Sequence, residues 1–174
     1  MIRLILFLIL SIPITVYSWP FLRRPRSHGF YRFFTFESIL ALVLMNAPTW
    51  LSDPYTPLQM LSWLLLILSA ILAAHGFWLL HSLGRPTTGI ETTTQLVRQG
   101  AYRYIRHPLY ASLLFLAWGA FLKGISPWST VLALVATIAL YATAKVEERE
   151  NLDKFGESYA TYMQETRMFI PFIF

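Results

Sequence analysis

The chain has no cysteine. Structural disulfides, thiolate metal sites and a cysteine nucleophile are therefore excluded. It is also poor in charge. Asp, Glu, Lys and Arg make up 13% of its 174 residues, against roughly 25% in an ordinary soluble domain. Gly-x-Gly-x-x-Gly, the P-loop pattern and Gly-x-Ser-x-Gly are missing, so a nucleotide-like ligand would not be held by a Rossmann or phosphate-binding loop. The histidines are His28, His75, His81 and His107, with no pair at metal-ligand spacing; no metal site is expected. What is abundant is apolar side chain, at 56%. That places the chain in the membrane class, at a length that suits a single domain, 1–174. The net charge of +5 is not gathered on one polar segment, so membrane topology accounts for it better than nucleic acid does.

Five apolar stretches follow one another. Residues 2–19 are broken only by Arg3 and Pro13, and residues 36–51 carry Asn46 and Pro48. Residues 60–80 hold no charge and would measure about 31 Å as a helix, enough to span. Residues 109–144, in which Lys123 is the only charge, are too long for one span. Lys-Gly-Ile-Ser-Pro at 123–127 marks a turn within them. The expected fold is an all-α polytopic membrane protein of five transmembrane helices. The fourth and fifth form a hairpin, and a short cytosolic helix follows Gly156. The first segment reads as a retained helix, because YSWPFLRRP offers no small-x-small cleavage site. Twelve of the fourteen Lys and Arg residues fall in 20–33, 81–107 and the tail after the fifth helix. Arg3 and Lys123 remain for the other face, and the excess places the C-terminus in the cytosol.

Arg106, His107 and Pro108 open the fourth span. Proline suits the first helical position, where its missing N–H has no partner to lose. A plain helix start, with Arg106 among lipid headgroups, explains Arg106 and Pro108. It does not explain His107, or the neighbouring Tyr102, Tyr104 and Tyr110. A turn centred near Ile125 brings His107 level with Thr143 and towards Glu147 and Glu148. Thr143 and Glu147, four apart, share a helix face. Carboxylates near a helix C-terminus oppose the macrodipole, and a buried organic cation would offset that. The tail residues Tyr159, Tyr162, Met163, Phe169, Ile170 and Phe172 read as an amphipathic interfacial segment, closing over a site or anchoring the tail. Anchoring is the simpler reading for each aromatic alone. Asn46, Gln59 and His75 read as interhelical hydrogen bonds, and His28 as part of a basic loop.

TTQLVRQGAYRYIRHPLYASLLFLAWG, followed by EERENLDKFGESYATYMQETRMFIP, resembles the isoprenylcysteine carboxyl methyltransferase and phospholipid N-methyltransferase family of integral membrane enzymes. The resemblance covers about residues 83–171 and puts the cofactor site in 83–174. It implies S-adenosyl-L-methionine as cofactor. Thr94, Gln95, Leu96 and Val97 would line it, Tyr102 would pack on it, His107, Pro108, Leu109 and Tyr110 would wall it, and Glu147 would hold its polar end. His107, Glu148 and Arg106 are the catalytic candidates, with His107 or Glu148 taking the proton of an amine acceptor. Where the carboxyl methyltransferases carry a substrate-binding arginine, this chain has Thr143, and the nearest cation is Lys145; these two are the substrate candidates. The departure argues against prenylcysteine carboxyl methylation. The expected partners are membrane lipids and a lipophilic small-molecule or lipid-modified acceptor, with no nucleic acid and no metal. Prenylated cysteine, a phospholipid amine, a quinone-like phenol and a small thiol all stay open as acceptors. Two other readings are an NADPH-dependent sterol or ene reductase, for which the chain is short, and a non-catalytic multi-pass membrane protein.

Overall fold

The computed structural model describes residues 1–85, 87 and 93–172. Among them there are six α-helices: α1 (Ile2–Leu22), α2 (His28–Asn46), α3 (Pro57–Leu83), α4 (Pro108–Leu122), α5 (Pro127–Phe155) and α6 (Glu157–Glu165). Single 3-10 turns lie at Ala47–Thr49 and Gly100–Arg103.

Local chemistry sets the helix starts. Pro57, Pro108 and Pro127 each occupy the first turn, where a missing N–H is harmless. At α5 the Ser126 hydroxyl accepts the Ser129 N–H at 3.1 Å, and the Ser129 hydroxyl accepts the Ser126 N–H at 2.8 Å. Gly156, with φ at 58°, breaks the chain between α5 and α6, a backbone conformation that costs glycine little.

The helical segments 2–22, 28–49, 57–83 and 127–155 are long and apolar enough to cross a membrane; α4 is shorter. At 15 residues, α4 measures about 22 Å against a hydrocarbon core of roughly 30 Å. Leu4, Leu8, Ile12, Leu64, Ile71, Trp78, Val131 and Ile138 all point outward. A band of that kind is a liability in water and suits contact with acyl chains.

Helix α3 carries Ser62, Ser69 and Gly76 at intervals of seven. They face α4 in antiparallel order. Ser62 donates to the Gly119 carbonyl at 2.8 Å and Ser69 to the Ser112 carbonyl at 2.7 Å. A Cβ on Gly76 would stand 3.1 Å from Leu109. Small side chains and hydroxyls bring the two backbones close, the usual device for joining helices in lipid. Helices α4 and α5 follow one another across 123–126, yet α4 packs chiefly on α3, and α5 chiefly on α2. Ile39 and Leu42 of α2 share one core with Ala117, Ala120 and Phe121 of α4 and Ala133 and Ala136 of α5. At the end of the bundle that holds Lys123, Asn46 donates to the Ala120 carbonyl at 2.8 Å and Gln59 to the Leu122 carbonyl at 3.2 Å. These are the interhelical bonds that their place in the sequence suggested.

Two boundaries differ from expectation with consequences for function. Helix α2 begins at His28, capped by Ser27, and not near 36. Arg32 is therefore a helical residue and not a loop residue. It is buried, with its guanidinium carbon 5.1 Å from the Tyr17 ring, 5.5 Å from Phe21 and 6.0 Å from Phe36. The aromatic faces favour the cation there. Helix α5 continues past 144 to Phe155. Its last eleven residues add roughly 16 Å and project a rigid polar face beyond the apolar stretch.

Candidate functional site

A cavity of about 410 Å³ lies where the N-terminal turns of α2 and α4 meet the polar end of α5 and the short helix α6. One wall is the segment Gln95, Leu96, Val97 and Tyr102; Val97 and Tyr102 pack on Leu79 of α3. The start of α4 adds Arg106, His107, Leu109 and Tyr110. Helix α5 contributes Glu147, Glu150, Asn151 and Lys154, whose spacing of three and four places them on one face. Tyr159 and Tyr162 come from α6. Tyr17, His28, Arg32 and Phe36 come from α1 and α2.

The start of α4 is held by the chain that follows α6. The Arg167 N–H donates to the Tyr104 carbonyl at 3.1 Å, the Arg106 N–H to Arg167 at 2.7 Å, and the His107 N–H to Met168 at 3.1 Å. This short parallel pairing ties the residues ahead of Pro108 to the chain that follows α6. The Arg106 guanidinium then grips Glu148 through Nε and Nη2, both at 2.8 Å from Oε1, and also donates to the carbonyls of Met163 and Thr166. Lys145 donates to Oε2 of Glu148 at 3.0 Å, and His107 Nε2 stands 3.6 Å from Oε1. The His107 ring stacks on Tyr110 at 5.4 Å. On the far side His28 Nδ1 meets Glu150 at 2.9 Å, tying α2 to α5.

The Tyr162 hydroxyl donates to the Tyr102 carbonyl at 2.6 Å. Burial pushes the phenols of Tyr102, Tyr159 and Tyr162 well above their ordinary range, and at Tyr102 the negative charge of Glu147 adds to it. These rings are therefore neutral across the physiological range. They give the cavity ring faces and hydroxyls without adding charge. The α6 aromatics pack inward here and do more than anchor the tail.

The expected site residues divide. Gln95, Leu96, Val97, Tyr102, Arg106, His107, Leu109, Tyr110 and Glu147 line the cavity. Five others do not. Thr94 is exposed and donates to the Arg85 carbonyl. Pro108 is fully buried beside Gly76. Glu148, one residue from Glu147 and about 100° round the helix, points into the Arg106 clamp. Thr143 is buried, with its hydroxyl turned back to the Ala139 carbonyl. The Lys145 ammonium is spent on Glu148. Arg106 is likewise no headgroup contact: its side chain is 9% exposed. The residue level with His107 is Glu148 rather than Thr143. The turn alone does not set the register, because each helix is positioned by a different main neighbour.

The contribution of α1 and α2 was not anticipated. A signal existed, because His28, Arg32 and Phe36 are spaced by four and form one helical stripe. The stripe is masked in the sequence because Arg32 counts among the cations of the basic stretch 20–33.

The model of the phospholipid methyltransferase family matches residues 58–158. The chain belongs to the phospholipid methyltransferase family. The matched part of this phospholipid methyltransferase family member holds α3, α4, α5 and the segment between α3 and α4; α1 and α2 lie outside it. Among curated proteins the chain is similar to methanethiol S-methyltransferase 1 of Bradyrhizobium diazoefficiens, 26% identical over 163 residues, which cover 87% of this chain and 56% of that one. It is also similar to methanethiol S-methyltransferase of Pseudomonas deceptionensis, 28% identical over 123 residues, covering 67% and 44%. A third relative is methanethiol S-methyltransferase of Crocosphaera subtropica, 33% identical over 72 residues, covering 41% and 28%. The chain thus spans about half the length, or less, of the curated relatives it matches. No solved structure matches it significantly.

Proposed function

We propose that the chain is an integral membrane methyltransferase that uses S-adenosyl-L-methionine to methylate a small lipophilic thiol. Five helices cross the bilayer in this reading, with the cavity and the C-terminus on the cytosolic side. The observation that carries it is the cavity itself, which sets the Glu147 carboxylate among tyrosine rings and an apolar wall. Family membership favours methyl transfer over the nicotinamide-dependent reductase. The relatives' names supply the thiol, and a cavity of about 410 Å³ that must also hold the donor suits a small acceptor better than a lipid-modified peptide.

The residues present fit a cationic cofactor. Glu147 and the faces of Tyr102 and Tyr110 would hold its positive end, and Leu96, Val97 and Leu109 its flat apolar part. When bound, the cofactor would supply a methyl group on a sulfonium, for transfer to the acceptor sulfur with loss of the thiol proton to water and return of the methyl–sulfur electron pair to the donor. The protein's own task is to align the acceptor and keep water out. The Arg106–Glu148 clamp does this indirectly, by holding the start of α4 against α5. His107, stacked on Tyr110, fixes that ring in the wall.

The test is calorimetric titration of S-adenosylhomocysteine into purified protein, followed by labelling. Glu147→Ala should weaken binding at least about tenfold, the loss expected when one charge partner of a cation is removed. Membranes given methyl-labelled donor and methanethiol should release label as a volatile thioether. Undiminished binding by Glu147→Ala removes the cofactor assignment, and label confined to phospholipid removes the thiol.

A further inference from the structure

We infer that Phe36 and Leu113 form the blind end of this cavity and set how long an acceptor it takes, so that short alkanethiols are substrates and long ones are not; the inference rests on the thiol reading above. Of the apolar lining, Leu96, Val97 and Leu109 fall to the donor in that reading. Among the described lining residues, Phe36 and Leu113 reach furthest into the bundle on α2 and α4. From His28 to Phe36 the α2 wall descends about 12 Å, and from the start of α4 to Leu113 about 8 Å. One turn further in, the bundle is closed on four helices. Ile39 on α2, Ala117 on α4 and Ala144 on α5 are 6%, 0% and 0% exposed, and Gly76 on α3 is buried. Ile39 and Ala117 belong to one packed cluster, and Leu113 lies against it. Ala117 is four residues from Leu113 and so directly beneath it on the same face of α4.

A protein interior is packed at the density of an organic crystal. An alkyl chain that outgrows the blind end must therefore push Leu113 or Phe36 aside, or leave its sulfur short of the donor. Misplacing the reacting atom by about 1 Å costs on the order of a hundredfold in rate. A short chain fills the apolar end and keeps its sulfur level with the donor. The selection comes from exclusion of the long chain as much as from attraction of the short one. Leu113 is the cleaner residue to change. The Phe36 ring also stands 6.0 Å from the Arg32 guanidinium, so its replacement would disturb a second contact.

The discriminating experiment compares ethanethiol with hexanethiol in wild type and Leu113→Ala. Alanine removes the leucine beyond Cβ and extends the blind end towards Ala117. Wild type should use hexanethiol with a kcat/KM, on free thiol, at least about tenfold below that for ethanethiol, and Leu113→Ala should raise the hexanethiol-to-ethanethiol ratio about tenfold or more. Comparing ratios between the two proteins in one detergent cancels the partition of the longer thiol into micelles. A second readout needs no turnover. Each thiol is titrated by calorimetry into protein saturated with S-adenosylhomocysteine, and the ratio of affinities should move the same way. Equal use of both thiols by wild type, as when a long chain leaves past α1 into lipid, overturns the proposal. So does a ratio that Leu113→Ala leaves within about twofold. A variant that weakens S-adenosylhomocysteine without moving the ratio also overturns it, because the blind end then belongs to the donor. If Leu113→Ala shows no cooperative thermal unfolding, Leu113→Val, one carbon shorter than leucine, takes its place. Its ratio should rise about threefold or more, and an unchanged ratio counts against the proposal in the same way. A wild-type protein that binds S-adenosylhomocysteine yet neither methylates nor binds either thiol sinks the thiol reading, and this inference with it.

Discussion

Replacing Glu148 with alanine removes the carboxylate on which the cavity's frame converges. The residue is 2% exposed. It receives two guanidinium bonds at 2.8 Å and an ammonium at 3.0 Å, with an imidazole at 3.6 Å. Lys145 is half-exposed and can turn to water. Arg106 cannot, because its remaining bonds to the Met163 and Thr166 carbonyls hold it in place. Glu148→Ala therefore leaves a buried cation without its counter-charge, at a cost of about 3–5 kcal/mol. For a chain of this length that corresponds to a fall in Tm of roughly 10 °C. Glu147, the adjacent carboxylate, lines the cavity and enters no such clamp. Glu147→Ala should cost under about 1 kcal/mol while weakening S-adenosylhomocysteine. Thermal unfolding of both variants in the same detergent, alongside ligand titration, separates the two roles. Equal Tm shifts, or a Glu148→Ala protein within about 1 kcal/mol of wild type, would show that the Arg106–Glu148 pair is not what binds α4 to α5.

Gly119→Ala places a Cβ 2.9 Å from Leu66 and 3.3 Å from the Ser62 carbonyl, so the α3–α4 contact must open. A loss of about 1–3 kcal/mol is expected, measured by thermal unfolding in detergent. Lys123→Met replaces a buried ammonium that lies 3.8 Å from the Trp63 ring centre. Stability should change by less than about 1 kcal/mol in the unfavourable direction, or improve. S-adenosylhomocysteine affinity, read by calorimetry, should stay the same, because Lys123 is not among the residues that line the cavity.

Much of the frame was legible in residue order. Pro108 announced the start of α4, and Lys-Gly-Ile-Ser-Pro at 123–127 the turn ahead of α5, while the start of α3 at Pro57 and the Ser126–Ser129 cap came from the structure. Ser62, Ser69 and Gly76 are visible as a heptad stripe of small residues once α3 is recognised, although only the structure names α4 as their partner. The approach of Arg-His-Pro to the Glu147–Glu148 pair followed from turn position and helix rise, to within five residues. The division between the two glutamates did not follow. Periodicity gives angles between residues on one helix, while the rotation of that helix towards its neighbours depends on packing. Arg32 was misplaced for a related reason: a cation within an apolar aromatic run looks like a loop until the rings that shelter it are seen around it.

The amino-acid order alone determined a helical membrane protein, its approximate segments, and the two motifs that belong together, because apolar length, helix-start chemistry and charge asymmetry are local properties. Tertiary structure alone decided that α4 leans on α3, that Glu147 faces the cavity while Glu148 faces Arg106, and that α1 and α2 supply a wall carrying a caged guanidinium. Those outcomes depend on how closely neighbouring backbones can approach, which is settled by many small side chains at once and is written in no single stretch.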